Sequence, residues 1–376
     1  MRQRWLFLAV SLVMVAAIVT LASGAVGGAG AGLYRLVSMF GQAVSLVRSS
    51  YVEDVPVDVL ETGAMSGLVD AADPGGLFVP DTMIEGYARV RARTTPPFGV
   101  VLGRRSSYPL VVQVMAGSPA EKAGIVAGEL VERVGAEPVR ARPLWRALTL
   151  LDAAERKGDV SLDVIDRQLS GKRPVSLKAA PFAPPTPSVE MQEGALVVRV
   201  PVVDAGAAAK LSQALLAHDG VTAIVVDLRG VALGTPDGAL KVAAELAGGD
   251  VQVRLGQKDG KEEALRAKGP QRSWKLVVCQ DGTTVGAAEL LAVALKARGA
   301  MLVGGDSYGD TGQRRGLHGA GGEVWLATTW GLDPDGKPIL GTGLKPDERV
   351  RPRSAGDAVL ERALELAGGR AIKQAA

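Results

Sequence analysis

The sequence predicts a multidomain chain of α/β and β architecture, with a small helical N-terminal domain, a compact β-rich domain and a layered α/β domain. Three observations predict it. Apolar residues recur at helical spacing through residues 33–93, and short β-like runs separated by turn residues fill 94–180. Beyond a proline-rich joint, continuous apolar strands alternate with helices over 188–350, the pattern of buried strands in a layered α/β domain. At 376 residues and 47% hydrophobic content, the chain can bury a sizeable core divided among two or three domains.

At the start, Arg2 and Arg4 precede an uncharged apolar run from Trp5 to about Ala22, followed by Ser23-Gly24-Ala25 and a Gly-rich stretch. Residues 1–25 therefore read as an export segment. The run approaches the roughly 20 residues that span a bilayer, so cleavage as a signal peptide and retention as a membrane anchor are both open. Positive charge ahead of the run places the bulk of the chain beyond the inner membrane. The expected location is the bacterial cell envelope, in the periplasm, with the N-terminus at the inner membrane if it is retained. No cysteine follows the run, which excludes a lipoprotein.

The helical domain rests on Leu33, Leu36, Val37, Phe40, Val44, Leu46 and Val47, then on Val59, Leu60, Met65 and Leu68. Thr94-Thr95-Pro96-Pro97 breaks the pattern, and Gly99 to Leu102 and Leu110 to Val114 read as strands. Ser118 caps a short helix that opens at Pro119 and closes at Gly124, before the chain enters a strand at Leu130. This grammar resembles the PDZ fold. In such a fold the helix from about Pro143 to Arg156 forms one wall of a peptide groove, Val160 to Ile165 forms a later strand, and Phe98-Gly99-Val100-Val101 is the candidate carboxylate-binding loop. PDZ grooves bind extended C-termini by adding a strand to a sheet edge. The expected partner is a polypeptide C-terminus; packing of this domain as a lid on the next one is the alternative.

The joint Ala180-Pro181-Phe182-Ala183-Pro184-Pro185-Thr186-Pro187 is stiff and cannot be helical. After it, strands are expected at Ala195 to Val200, Ala223 to Leu228, Lys275 to Cys279 and Met301 to Gly304. Helices are expected at Ala205 to Ala217, Asp237 to Ala247 and Gly286 to Arg298. Residues 351–376 read as a C-terminal helix or tail.

Composition removes several functions. Lys+Arg 43 against Asp+Glu 40 leaves a formal charge of +3 spread along the chain, which disfavours nucleic acid as a partner. The single Cys279 cannot form an internal disulfide and reads as a small core residue; with only His218 and His318 besides, no metal-ligand spacing exists. No cofactor is expected, since the Gly-rich segments open no helix with Lys-Ser or Lys-Thr.

The order of these domains, with Ser50-Tyr51-Val52-Glu53, Asp73-Pro74, Ser118-Pro119-Ala120, Val225-Val226-Asp227-Leu228-Arg229, Pro334-Asp335-Gly336-Lys337 and Gly343-Leu344-Lys345-Pro346-Asp347, resembles the C-terminal processing (tail-specific) serine peptidase family from about 33 to 350. The resemblance implies a crotonase/Clp-protease-like layered α/β domain. It also implies a serine nucleophile at a helix start, a lysine base about two dozen residues later, and backbone amides that hold the oxyanion. At those positions this chain departs from the family. Anchoring Thr283-Thr284-Val285-Gly286-Ala287-Ala288-Glu289 on Glu289 places Gly286 at the nucleophile, and Tyr308-Gly309 places Asp310 at the lysine. The family's glutamine, four residues after its lysine, has its nearest counterpart in Gln313, three after Asp310. The oxyanion loop Asn-Pro-Gly-Gly reads Val231-Ala232-Leu233-Gly234.

A catalytically degenerate member is therefore expected, one that binds polypeptide C-termini, an active homologue or a scaffold through its PDZ domain. The alternative is an active serine- or threonine-type endopeptidase whose nucleophile is displaced to Thr283, Thr284 or Ser307, with Asp310 or His318 as base. In the plainer reading Thr284 is a helix N-cap, Ser307 a turn residue and His318 a solvated loop residue.

Overall fold

A computed structural model describes residues 29–218, 220–319, 321–353 and 356–368, and the export segment of residues 1–25 lies outside them. The chain divides into two compact units, Met1–Met65 and Ser66–Ala376. In the first, helix α1 (Ala29–Ser50) leads through a short turn into α2 (Val57–Ala72), which crosses into the second. Val37, Phe40 and Leu46 on α1 are exposed.

The segment read as helical to residue 93 also contains a strand. Gly75-Gly76 ends the helical run, and β1 (Leu77–Pro80) follows before α3 (Ile84–Arg91). Phe78 and Val79 are both buried, so a short continuous run of strand-favouring apolar residues after a two-glycine break wins over the helical periodicity around it.

Next come β2 (Val100–Arg105), β3 (Tyr108–Val114), α4 (Pro119–Lys122), β4 (Leu130–Val134), β5 (Glu137–Pro138), α5 (Leu144–Lys157), β6 (Asp159–Ile165) and β7 (Lys172–Lys178). The antiparallel order is β2-β3-β4-β6-β7, which leaves β2 at an edge. Ser118 caps α4 by accepting the Glu121 amide, and Gly158, in the left-handed region, ends α5. Phe98, Val111, Ile125, Leu151 and Leu162 pack together as the core of this β-rich part.

The α/β part runs β8 (Ser188–Gln192), β9 (Ala195–Arg199), β10 (Val202–Val203), α6 (Ala205–Leu216), β11 (Ala223–Asp227), β12 (Leu233–Gly234), α7 (Pro236–Ala247), β13 (Gly249–Gln257), β14 (Glu262–Gly269), β15 (Lys275–Gln280), α8 (Ala287–Ala297), β16 (Met301–Gly304), β17 (Gln313–Gly319), β18 (Gly322–Gly331), β19 (Glu348–Arg349) and α9 (Ala358–Ala367). One sheet has the order β19-β16-β15-β11-β9-β8, parallel except at β8. Its side chains alternate: Ile224 and Val226 face α6, α7 and α8, whereas Ala223 and Val225 face α9 through Val359, Ala363 and Leu364. The residues after 350 thus include a helix that packs on the central strands of that face. A second, antiparallel sheet of β1, β18, β13 and β14, with β17 on β18, covers α7 and α8 through Val251, Val253 and Leu255. Cys279 is buried between β15 and α9, and burial pushes its thiol far above the usual range.

Candidate active site

Three loops leave the carboxyl ends of the neighbouring parallel strands β11, β15 and β16 and meet above the sheet, the usual place for a site in an open α/β sheet. They are residues 228–235, 281–286 and 305–312. Continuous apolar strands fix their roots, and short polar or glycine-rich sequences turn them over the edge.

Gly286 is the N-cap of α8, with φ 63° and ψ −112°, and its amide donates to Glu289 Oε2 at 3.0 Å. A Cβ at this glycine would meet only the Asp310 carbonyl oxygen, at 3.6 Å. A side chain therefore fits in space, but at a positive φ that L residues rarely adopt, at a cost of about 1–3 kcal/mol.

Glu289 is wholly buried and joins two of the loops. It accepts the Gly286 amide, the Ser307 hydroxyl, the Gly309 amide at 2.6 Å and the Asp310 amide at 2.9 Å. Burial pushes its carboxyl up to about 7, against the pull of these four donors.

Asp310 stands beside Gly286, and Arg314 Nη1 donates to its Oδ1 at 2.7 Å. The same guanidinium donates from Nε and Nη2 to Asp73 Oδ2 and Oδ1 at 3.0 and 2.9 Å. Asp73 also accepts the amides of Gly75 and Ala327. Burial raises the Asp310 carboxyl even beside Arg314; at Asp73, burial is outweighed by Arg314 and the amides, and the carboxyl falls below its ordinary range. Asp310 is thus committed to an ion pair. Arg314 was not singled out from the sequence, although it stands four residues after Asp310, where the family's glutamine falls. Gln313, the residue weighed for that place, opens β17 just before an irregularity in its pairing with β18.

The third loop is also engaged. The amides of Ala232 and Leu233 both donate to Gln113 Oε1, at 2.9 and 3.2 Å. Gln113 is a buried residue of β3 whose Nε2 donates to the Pro201 carbonyl at 2.5 Å. A neutral side-chain oxygen from the β-rich part fills the point where these two amides converge.

The hydroxyls nearest this centre are each hydrogen-bonded within the protein. Thr283 donates to Asp281 and accepts the Gly230 amide at 2.8 Å. Thr284 does not cap α8, a role taken by Gly286 with Glu289; its hydroxyl donates to the Leu228 carbonyl at 3.0 Å and accepts the Asp281 amide. Ser307, expected as a turn residue, is buried, donating to Glu289 and accepting the Leu344 amide at 2.7 Å. His318 lies on exposed β17, paired in register with Glu323, and not in a loop. Among the described residues, no group of three or more His, Cys, Asp or Glu could hold a metal ion.

In the candidate carboxylate loop, Phe98, Gly99 and Val100 are buried and Val101 partly so. The Phe98 amide donates to Glu155 Oε1 at 2.6 Å, and Arg93 pairs with the other oxygen of Glu155. The Gly99 amide donates to the Pro96 carbonyl, and the Phe182 ring approaches the position of a Gly99 Cβ to 3.2 Å. Farther along β2, the Arg104 amide donates to the Tyr308 hydroxyl at 2.6 Å, and that hydroxyl donates to the Arg104 carbonyl. The edge of β2 is therefore tied at Arg104 to the loop that carries Asp310.

Residues 194–350 match the model of Peptidase family S41. The chain is 25% identical over 322 residues to the carboxy-terminal processing protease CtpA of Bacillus subtilis (strain 168), covering 82% of this chain and 68% of that protein. It is 22% identical over 318 residues to a probable CtpA-like serine protease of Staphylococcus haemolyticus (strain JCSC1435), covering 82% and 63%. Among solved structures, the photosystem II D1 C-terminal processing protease shares the fold, with a TM-score of 0.67, 22% identity, and coverage of 89% of this chain and 93% of that one. The chain is a homologue of the carboxy-terminal processing proteases, and its α/β region matches peptidase family S41.

Proposed function

We propose that this protein is a pseudopeptidase, which holds a polypeptide in the cleft above its α/β sheet without hydrolysing it. The observation that carries the reading is the pairing of Asp310 with Arg314 at 2.7 Å, beside a glycine. Hydrolysis by a nucleophile and base requires a hydroxyl or thiol that attacks and a group that takes its proton. Gly286 offers no attacking atom, and Asp310 spends its charge on Arg314. The loop amides at Ala232 and Leu233, which would have to meet a developing oxyanion, face Gln113 Oε1.

In this reading the β-rich part, 94–180, is a PDZ domain with α5 as one groove wall and β2 as the edge that receives a peptide. Glu155 on the Phe98 amide and Tyr308 on Arg104 occupy donors that an incoming C-terminus would use, so a ligand strand docks only by displacing them. Its partners are polypeptide C-termini, an active homologue or a scaffold. The N-terminal segment directs the chain to the periplasmic face of the inner membrane.

A second reading, an active peptidase, draws on Ser307, whose hydroxyl donates to a buried carboxylate with a pKa of about 7. Against it, the Ser307 hydroxyl also accepts the Leu344 amide, and Glu289 is held by three backbone amides.

The test is recovery of a bound polypeptide. After overnight incubation of the full chain with an unfolded protein, the complex is isolated and its ligand weighed by mass spectrometry. Intact ligand supports the pseudopeptidase; ligand fragments absent from a Ser307→Ala control support the second reading.

A further inference from the structure

A cleft of about 1110 Å³ opens beside Thr283 and Asp310, bounded by the 281–283 and 306–310 loops on one side and by Arg105, Gly128 and Arg167 of the β-rich part on the other. Its acids are spoken for. Asp227 and Asp357 are both held by Arg229, Asp310 is held by Arg314, and Asp306 is held by Arg349. Asp281 turns its Oδ1 onto Thr283. The cations are less well matched. Among the described residues Arg105 and Arg167 form no ion pair, while Arg199 and Arg353 reach carboxylates only at 3.6 and 3.7 Å. Arg167 lies across Gly128, where a Cβ would come within 3.2 Å of its side chain, and both residues line the cleft.

Size and lining narrow the occupant. The volume exceeds the roughly 300–1,000 Å³ of small-molecule sites. Backbone is exposed along the walls at Gly75, Gly230, Gly282 and Gly341, which suits a partner that brings its own amides and carbonyls. Nucleic acid would need aromatic faces for stacking, and the only aromatic lining residue, Tyr308, has its hydroxyl fixed on Arg104. A guanidinium presents a planar fork that matches a carboxylate with two parallel hydrogen bonds.

We propose that the cleft selects an acidic, extended polypeptide segment, whose carboxylates pair with Arg105 and Arg167. This names the ligand class of the pseudopeptidase reading and rests on it for the ligand being a polypeptide.

The experiment is an anisotropy titration of the full chain with a labelled twelve-residue peptide rich in Glu, and with its Gln counterpart, at low and at 300 mM salt. The Glu peptide is expected to bind at least tenfold more tightly at low salt, with most of that advantage gone at high salt. Arg105→Gln with Arg167→Gln, both exposed positions, should lower its affinity about tenfold; Lys157→Gln with Lys258→Gln, which removes the same charge elsewhere, should not. Equal binding of the two peptides, equal loss in both double variants, or tighter binding of a single-stranded oligonucleotide of the same charge would overturn the proposal. Weighing the peptide afterwards separates the two claims, because acid-selective binding with fragments would sink the pseudopeptidase reading and leave the selectivity standing.

Discussion

Arg314 Nη1 lies 2.7 Å from Asp310 Oδ1, one turn-length along the chain, and the two stand where the homologous peptidases are expected to carry a glutamine and a lysine. The exchange moves the positive charge by four residues and adds a negative one. Asp73 balances it from a distant segment, so the arrangement is an Asp-Arg-Asp bridge rather than a free base. It fastens the loop of Asp310 to the turn before β1.

Removing Arg314 strands the buried Asp73 carboxylate beside Asp310, which the cleft leaves partly exposed. Arg314→Gln is expected to destabilise the protein by about 3–5 kcal/mol, the usual cost of stranding a buried charge. Urea denaturation measures it. Adding Asp310→Asn should recover part of the loss, because the stranded charge at that end is gone.

Glu289 predicts a pH dependence. Its folded pKa of about 7 lies above its ordinary 4.5, so the folded state binds the proton more tightly than the unfolded state. The contribution is fully present below about 4.5 and is lost as pH rises through 7, by up to about 3 kcal/mol. The difference in urea midpoint between wild type and Glu289→Gln, followed from pH 4.5 to 8, should shift in that direction. A difference independent of pH would show that the four donors hold the carboxylate ionised throughout.

Tyr308→Phe removes both hydrogen bonds to Arg104 and opens that part of the β2 edge. A stability loss of about 1–2 kcal/mol is expected. Hydrogen exchange at the Arg104 amide should accelerate relative to the Val111 amide, which is bonded to the Glu129 carbonyl within the sheet. Equal exchange in wild type and variant would show that Tyr308 does not cover the edge.

Restoring catalysis should need more than the two obvious residues. Gly286→Ser with Asp310→Lys and Arg314→Gln rebuilds a nucleophile and a base, yet Gln113 still holds the Ala232 and Leu233 amides. Because each lost oxyanion donor costs about 10²- to 10³-fold, adding Gln113→Ala should raise cleavage of an unfolded substrate at least tenfold over the triple variant. No gain on adding that change would mean that Gln113 does not obstruct the loop.

Much of the α/β core was legible in the sequence. The strand expected at Ala223 to Leu228 runs Ala223–Asp227, and the helix expected at Gly286 to Arg298 runs Ala287–Ala297, because uninterrupted apolar runs and cap residues mark both ends. The hairpin β13–β14 was not foreseen. Its strand Glu262–Gly269 is largely exposed and charged, and it is stabilised by pairing with Gly249–Gly256, which no local periodicity reveals. Strand β1 was hidden for the same reason, since its partners Gly322 to Trp325 lie far along the chain.

At the site, the motifs single out Gly286 and Asp310, which the structure brings beside each other, but they do not reveal what holds them. Gln113 reaches the 228–235 loop across 119 residues, Tyr308 reaches Arg104 across 204 and Arg314 reaches Asp73 across 241. Such contacts carry no spacing signal. Thr284 is not the cap that a hydroxyl residue before a helix usually supplies, because Gly286 is the N-cap of α8 and Glu289 accepts its amide.

The most direct measurement is hydrolysis of an unfolded polypeptide by the wild-type full chain in molar excess over substrate, with new N-termini counted by mass spectrometry over hours. A protein with no attacking atom at Gly286 and an ion-paired Asp310 should generate no new N-termini above a blank without enzyme. New N-termini that accumulate with time and disappear in Ser307→Ala or Thr283→Ala protein of unchanged melting temperature would contradict the account and identify an active peptidase with a displaced nucleophile.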